Sequence, residues 1–165
     1  MFSWANWRKQ DGRGRGIAYA RYKNLAAYTA VAIEVEVNRA SGNVRVLRAV
    51  SANDAGEIVS PDGVVNQIEG GIVQSLSWAL KEAVRFGPGG VRSEDWNSYP
   101  ILTFSETPHI EIELIDRPGA PYLGAGEASQ GPAGAALANA VRDATGVRYH
   151  ETPFTPARIK AGLGT

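Results

Sequence analysis

Cysteine is absent from the 165 residues, which excludes disulfides, thiolate zinc sites and iron–sulfur ligation within the chain. Histidine is almost absent: His109 and His150 are the only two, and their spacing is not that of a metal pair, so no metal held by protein side chains is expected. No apolar run approaches the roughly 20 residues of a membrane span, which argues against membrane insertion. The opening residues MFSWANWRKQ lack the apolar stretch of a signal peptide. Charge of one sign is not in excess either. Seventeen basic side chains meet seventeen acidic ones, so no global field draws the chain to nucleic acid. Recognisable nucleophile motifs are missing, with no serine or cysteine set beside a histidine.

What remains is ordinary globular material, 44% apolar and 21% charged, long enough for one domain with a real core. Residues 1–27 read as an N-terminal arm or linker. They hold Gly12, Gly14 and Gly16 and six basic residues (Arg8, Lys9, Arg13, Arg15, Arg21, Lys23) against one acid, Asp11. A solvated connecting segment is favoured over a nucleic-acid arm. Trp4, Trp7, Tyr19 and Tyr22 suggest that part of it packs on another surface.

From Tyr28 the pattern alternates. Val31, Ile33, Val35 and Val37 face one way and Glu34 and Glu36 the other, predicting a half-buried strand. Ser41-Gly42-Asn43 supplies turn chemistry, and Val44 to Val50 completes a hairpin. Asp54, in Asn53-Asp54-Ala55-Gly56, is better suited to an Asx turn than to a cation. Ser60-Pro61 then opens a long helix, with Ser60 as N-cap. Val64, Ile68, Ile72, Leu76 and Leu80 form its core stripe, and Gln67, Gly71, Gln74 and Trp78 lie on the adjacent face. Gly70 and Gly71 each cost about 1 kcal/mol relative to alanine inside a helix. Either close backbone packing or a flat ligand offsets that.

Ile110, Ile112 and Leu114 mark a further strand. A second helix runs to about Thr145, with Pro132 at its start, Gly146 beyond its end, and many small residues between. Thr155-Pro156 caps a short last helix. The order strand, strand, helix, strand, helix predicts an α+β fold: a mixed or antiparallel sheet with two main helices packed on it and a glycine-rich loop before the second helix, occupying residues 28–165.

That loop, Gly124-Ala125-Gly126-Glu127-Ala128-Ser129-Gln130-Gly131-Pro132, is the most informative segment. One carboxylate stands among small residues just before a helix. It can act as a general base in a sufficiently dry site or simply cap the helix dipole, and on physical grounds alone capping comes first. The loop is not a dinucleotide fingerprint, because Ser129 occupies the third glycine position.

Gly126-Glu127, Gly131-Pro132, Ala135 to Val141, Ala144-Thr145-Gly146 and Thr155 to Ile159 resemble the C-terminal signature of the xanthine dehydrogenase/aldehyde oxidase family. Gln67-Ile68-Glu69-Gly70-Gly71, with Gln74 and Leu80, looks like that family's upstream helix. The likeness runs from about Gly12 to Leu163. Leu123 to Glu127 and the stretch from Trp78 to Phe86 are closest to its bacterial nicotinate/isoquinoline dehydrogenase-like branch. The familiar Asn-Pro is here Ser60-Pro61, a conservative change.

The resemblance implies a C-terminal molybdopterin-binding portion of a molybdenum hydroxylase, which hydroxylates an N-heterocycle or an aldehyde with a water-derived oxygen. Glu127 corresponds to the family's catalytic base. Gln67 corresponds to its pterin-contacting glutamine, with Gly70, Gly71 and Gly126 giving the cofactor room. The implied cofactor is molybdopterin, in the cytosine dinucleotide form usual for bacterial members, with the molybdenum held by the pterin itself. Iron–sulfur clusters would sit only on a partner subunit. Family molybdenum subunits are several times longer, so the pocket is expected to be shared with further molybdopterin-binding domains and the isolated chain to be inactive. The alternative is a non-catalytic remnant or interaction domain that keeps the fold. The compartment implied is the cytoplasm, or the periplasm by co-export with a signal-bearing partner.

Overall fold

The computed structural model describes residues 9–24 and 26–164; the expectation placed on Trp4 and Trp7 lies outside them. Six strands and three helices follow in the order β1 (Arg13–Arg21), β2 (Tyr28–Val37), β3 (Val44–Asp54), α1 (Pro61–Leu80), β4 (Phe86–Gly87), β5 (Gly90–Val91), β6 (His109–Leu114), α2 (Gln130–Thr145) and α3 (Pro156–Leu163). The main sheet has the order β1-β2-β3-β6. Its first three strands are antiparallel, and β6 pairs parallel with β3. The architecture is therefore α+β with a mixed sheet and the two main helices on one face.

Alternation places Val31, Ile33, Val35 and Val37 of β2 inward, all fully or almost fully buried, as their period-2 spacing predicts. Ile68, Ile72 and Leu76 of α1 meet Ala133, Ala136, Leu137, Ala140 and Val141 of α2 in the same core. Ser60 stands at the N-cap of α1, but its side chain makes no capping bond and Pro61 carries the start. Gly146 ends α2 in the left-handed conformation at φ 80°. Thr155 caps α3 by accepting from the Arg158 amide. Asp54 closes the expected Asx turn, accepting from the Gly56 amide at 3.0 Å, and also pairs with Arg117.

Within the span 1–27 expected to be an arm or linker, the described residues correct that expectation. Residues 13–21 form β1, a full member of the sheet, paired with β2 from Arg13↔Glu36 to Arg21↔Tyr28. Gly14 and Gly16 are buried because α2 lies directly on this strand. A Cβ on Gly14 would strike the Ala140 carbonyl and the Ala144 amide, and one on Gly16 the Ala136 carbonyl and the Ala140 amide. The glycines thus serve contact between backbones, which no side chain could permit. The basic residues between them point to the other face and are paired. Arg15 meets Glu34 at 2.8 Å, while Arg13 lies 3.5 Å from Glu36.

Helix α2 also blunts the open edge of β1. The Arg15 amide donates to Asp143 at 3.0 Å, and the Asn139 side chain donates to the Ile17 carbonyl at 3.0 Å. Edge groups that could pair with another chain are thereby occupied. Among the described residues no helix is long and apolar enough to cross a membrane.

Substituting alanine at Gly16 is expected to lower stability by about 1–3 kcal/mol, because a methyl group forced into this contact must displace α2. Gly131, where a Cβ would meet nothing within 4 Å, provides the control. Urea midpoints of the two variants decide the matter: equal midpoints would show that β1 and α2 are not in backbone contact.

Candidate functional site

The face of α1 beside the core stripe carries Gln67, Gly70, Gln74 and Trp78, separated by three or four residues and therefore stacked along one side of the helix. They line a cleft of about 1050 Å³. Gly126 and Gln130 flank it on one side. Trp96, Tyr99, Ile101 and Phe104, from the segment after β5, stand on the other.

Close packing of α1 on α2 explains why the loop before α2 meets this face. Gly71 is buried, and a Cβ there would fall on Ser129 Oγ. The Ser129 hydroxyl donates to the Ile68 carbonyl at 2.9 Å, and the Ser75 hydroxyl donates to the Gln130 carbonyl at 2.7 Å. These bonds draw the Gly124–Gln130 loop to the middle turns of α1. As a result Gly126 lies against Gln67, where a Cβ would stand 3.1 Å from Nε2. At Gln74, Oε1 accepts from Gln130 Nε2 at 2.7 Å, joining both sides of the cleft.

The two adjacent glycines of α1 therefore have different physical reasons. Gly71 makes room for Ser129. Gly70 makes room for nothing in the chain, since no atom lies within 4 Å of a Cβ placed there, and it opens on the cleft. Its helix-propensity cost of about 1 kcal/mol is not offset by packing within the chain.

Glu127 is exposed, at the end of the loop next to Gly126. Its carboxylate accepts a hydrogen bond from the Tyr22 hydroxyl. Helix α2 begins at Gln130 with Ser129 at its cap position, and the Ser129 side chain makes no capping bond.

Glu69 and Glu82 are the only charged residues lining the cleft among those described, and no Lys or Arg is among them. Neutral amides, aromatic rings and bare backbone make it suited to a planar, hydrogen-bonding heterocycle and not to a phosphate. Tyr99 donates to Glu82 at 2.8 Å, and that bond, with burial and the carboxylate charge, raises its hydroxyl above the ordinary value. Outside the cleft, in the same segment after β5, Glu106 closes a capping box with Thr103 and pairs with Lys81. Partial burial opposes its ionisation, but Lys81 and the Thr103 amide and hydroxyl outweigh this and hold its carboxyl down at about 2.

Of the residues singled out from sequence, Gln67, Gly70, Gly71 and Gly126 share this cleft and Glu127 adjoins it. Gln130, Trp96 and Tyr99 were not singled out, although Gln130 lay within the glycine-rich segment. Tyr22 was hidden by the reading of residues 1–27 as an arm. No group of His, Cys, Asp and Glu that could hold a metal occurs among the described residues.

Known proteins share this fold. Residues 2–108 match the molybdopterin cofactor-binding domain family. A nicotinate dehydrogenase subunit, from Pseudomonas putida, is 46% identical over 158 residues, covering 92% of this chain and 13% of that protein. The isoquinoline 1-oxidoreductase beta subunit, from Brevundimonas diminuta, is 34% identical over 158 residues, covering 93% of this chain and 20% of that protein. The crystal structure of quinoline 2-oxidoreductase from Pseudomonas putida 86 superposes with a TM-score of 0.78 at 30% identity, over 84% of this chain and 19% of that one. The chain thus spans a fifth or less of the length of these relatives.

Two measurements test the site as described. Gly70→Ala is expected to raise the stability of the chain by up to about 1 kcal/mol and Gly71→Ala to lower it, the opposite signs appearing in parallel thermal melts. Because the folded carboxyl of Glu106 lies below its ordinary 4.5, the stability it adds is present above about pH 4.5 and is lost as pH falls toward 2. The pair is partly exposed, so the effect is under about 1 kcal/mol. A stability gap between the wild type and Glu106→Gln at neutral pH that closes toward pH 2 is the expected result.

Proposed function

The chain belongs to the molybdopterin cofactor-binding domain family, and on that basis we propose that it forms one wall of the cofactor pocket in a molybdenum hydroxylase acting on an N-heterocycle or an aldehyde. The observation that carries this reading is the gathering of Gln67, Gly70 and Gly126 on one cleft, with Glu127 as the next residue in the chain. The fit is chemical as well as spatial. Open space beside Gly70 accepts a flat group, and the Gln67 amide can donate to and accept from the edge of a pterin ring. The cleft offers no cation for phosphates, so those of a cytosine dinucleotide form would be held by the remainder of the large subunit.

When bound, the molybdenum cofactor would supply the activated water-derived oxygen and the electron acceptor. The chain's own work is then binding and proton transfer. Gln67 holds the ring edge, and Gly70 and Gly126 allow close approach. Glu127 receives a proton on a carboxylate oxygen as the new C–O bond forms. The loop fixes the backbone that carries Glu127, since it is tied on both sides: the Leu123 amide donates to the Ala55 carbonyl at 2.8 Å, and the Ser129 hydroxyl reaches Ile68. Electrons would leave through an iron–sulfur partner subunit.

The test uses the chain alone and co-expressed with the remaining portion of the Pseudomonas putida nicotinate dehydrogenase and its partner. Molybdenum is expected by elemental analysis only in the co-expressed material. There Glu127→Gln is expected to keep the metal and lower turnover at least about 100-fold. Metal with undiminished turnover would remove Glu127 from the mechanism. Absence of metal from both preparations would instead support a non-catalytic domain that keeps the family fold.

A further inference from the structure

Between β1 and β2, Tyr22 to Asn24 and Ala26-Ala27 lie beside the loop that carries Glu127. Tyr22 opens a single 3-10 turn, Tyr22–Asn24, in which Lys23 adopts φ 50°. The turn is closed on itself: the Tyr22 amide donates to the Ala27 carbonyl at 3.1 Å and the Ala26 amide to the Tyr22 carbonyl at 2.9 Å. It is also fastened to the loop, because the amide of Ala27, itself buried, donates to the Gly124 carbonyl at 3.3 Å. The Tyr22 ring is partly buried against the core, with the Lys23 ammonium 5.1 Å from its centre. From this footing the phenol donates to Glu127 Oε2.

An exposed glutamate has three side-chain torsions to settle, and ordering such a chain costs conformational entropy. A base is effective only if its oxygen already stands within hydrogen-bond reach of the proton it takes. We infer that Tyr22 is a positioning residue for Glu127: its rigid ring, seated on the core and tied to the same loop, holds Oε2 and leaves Oε1 to meet the reacting proton. This rests on the reading of Glu127 as the base. A hydrogen bond between an exposed carboxylate and a ring that is already packed adds little to folding, so stability alone gives this pair no evident purpose. Tyr149 provides the contrast, since its hydroxyl donates to the Ile159 carbonyl at 2.9 Å and braces α3 against the body of the domain.

The contact is tested first in the full chain, without cofactor. With 13C at the ζ carbon of its six tyrosines, the chain gives six resonances, and Tyr22→Phe identifies the one that vanishes. Glu127→Gln is expected to shift the Tyr22 resonance and leave that of Tyr149 in place; an unmoved Tyr22 resonance overturns the inference. Tyr22→Phe keeps the ring and is expected to leave the melting temperature unchanged, so folding does not confound the result. In the molybdenum-loaded assembly, Tyr22→Phe is expected to lower kcat about tenfold with KM within about twofold, the size of one lost hydrogen bond to a charged group. A wild-type kcat, or a loss carried by KM, also overturns it. Failure of the underlying reading looks different: Glu127→Gln would then keep its turnover while the Tyr22 resonance still responded to Glu127.

Discussion

The contact between the small-residue face of α2 and the glycines of β1 governs the geometry of the whole molecule. Sheet and helix ordinarily stand apart by the thickness of two side-chain layers, and here Gly14 and Gly16 remove one of them. Helix α2 comes down on the strand until backbone meets backbone, its alanines filling what little space is left. That depth sets the height of the α2 N-terminus above the sheet, and with it the level of the Gly124–Gln130 loop. Because α2 also occupies the outer edge of β1 through Asn139 and Asp143, the helix is tied to the strand along its length as well as pressed on it.

A second close approach, between α1 and α2, converts that placement into a site. Gly71 admits Ser129, whose hydroxyl is spent on a carbonyl of α1, and Ser75 answers with a bond to Gln130. Small polar residues here hold two helices together while leaving their outer faces free. The side chains just outside the seam, Gln67 and Gln74 on one helix and Gln130 at the start of the other, are left as amides beside bare glycine backbone. A cleft made this way has no cationic side chain and is rich in amide donors and acceptors, which suits a heterocyclic ring more than an anion.

The opposite face of the sheet obeys a different rule. Arg15 with Glu34, and Arg48 with Glu111, line up across four strands, each basic side chain set against an acidic neighbour. Charges of opposite sign on neighbouring strands, directly opposed as in Arg15 and Glu34 or diagonal as in Arg48 and Glu111, support a sheet. The near-neutral total charge of the sequence is thus organised locally, with paired charges behind the sheet and few charges at the cleft in front of it. Trp96 and Phe104, on the apolar rim of that cleft, stand 76% and 100% exposed.

Features written in local periodicity and local stereochemistry were legible before any folding was considered. The alternation from Val31 to Val37, the four-residue stripe from Val64 to Leu80, Pro61 opening α1 and Gly146 ending α2 each follow from forces acting within a turn or two of chain, and each appears where its pattern lies. The family resemblance added Gln67, Gly70, Gly71 and Gly126, which share the cleft, and Glu127, which adjoins it. The meaning of each glycine, by contrast, came from three dimensions. Gly12, Gly14 and Gly16 have no periodic apolar neighbours and read as a linker, yet two of them lie under a helix more than a hundred residues away in the chain. Gly70 and Gly71 are adjacent and chemically identical, yet one faces Ser129 and the other faces open space. Glycine reports that a side chain is absent, but what approaches in its place is set by distant segments. For the same reason the meeting of Tyr22 with Glu127 was not legible: it spans 105 positions and depends on a strand concealed within an apparent arm.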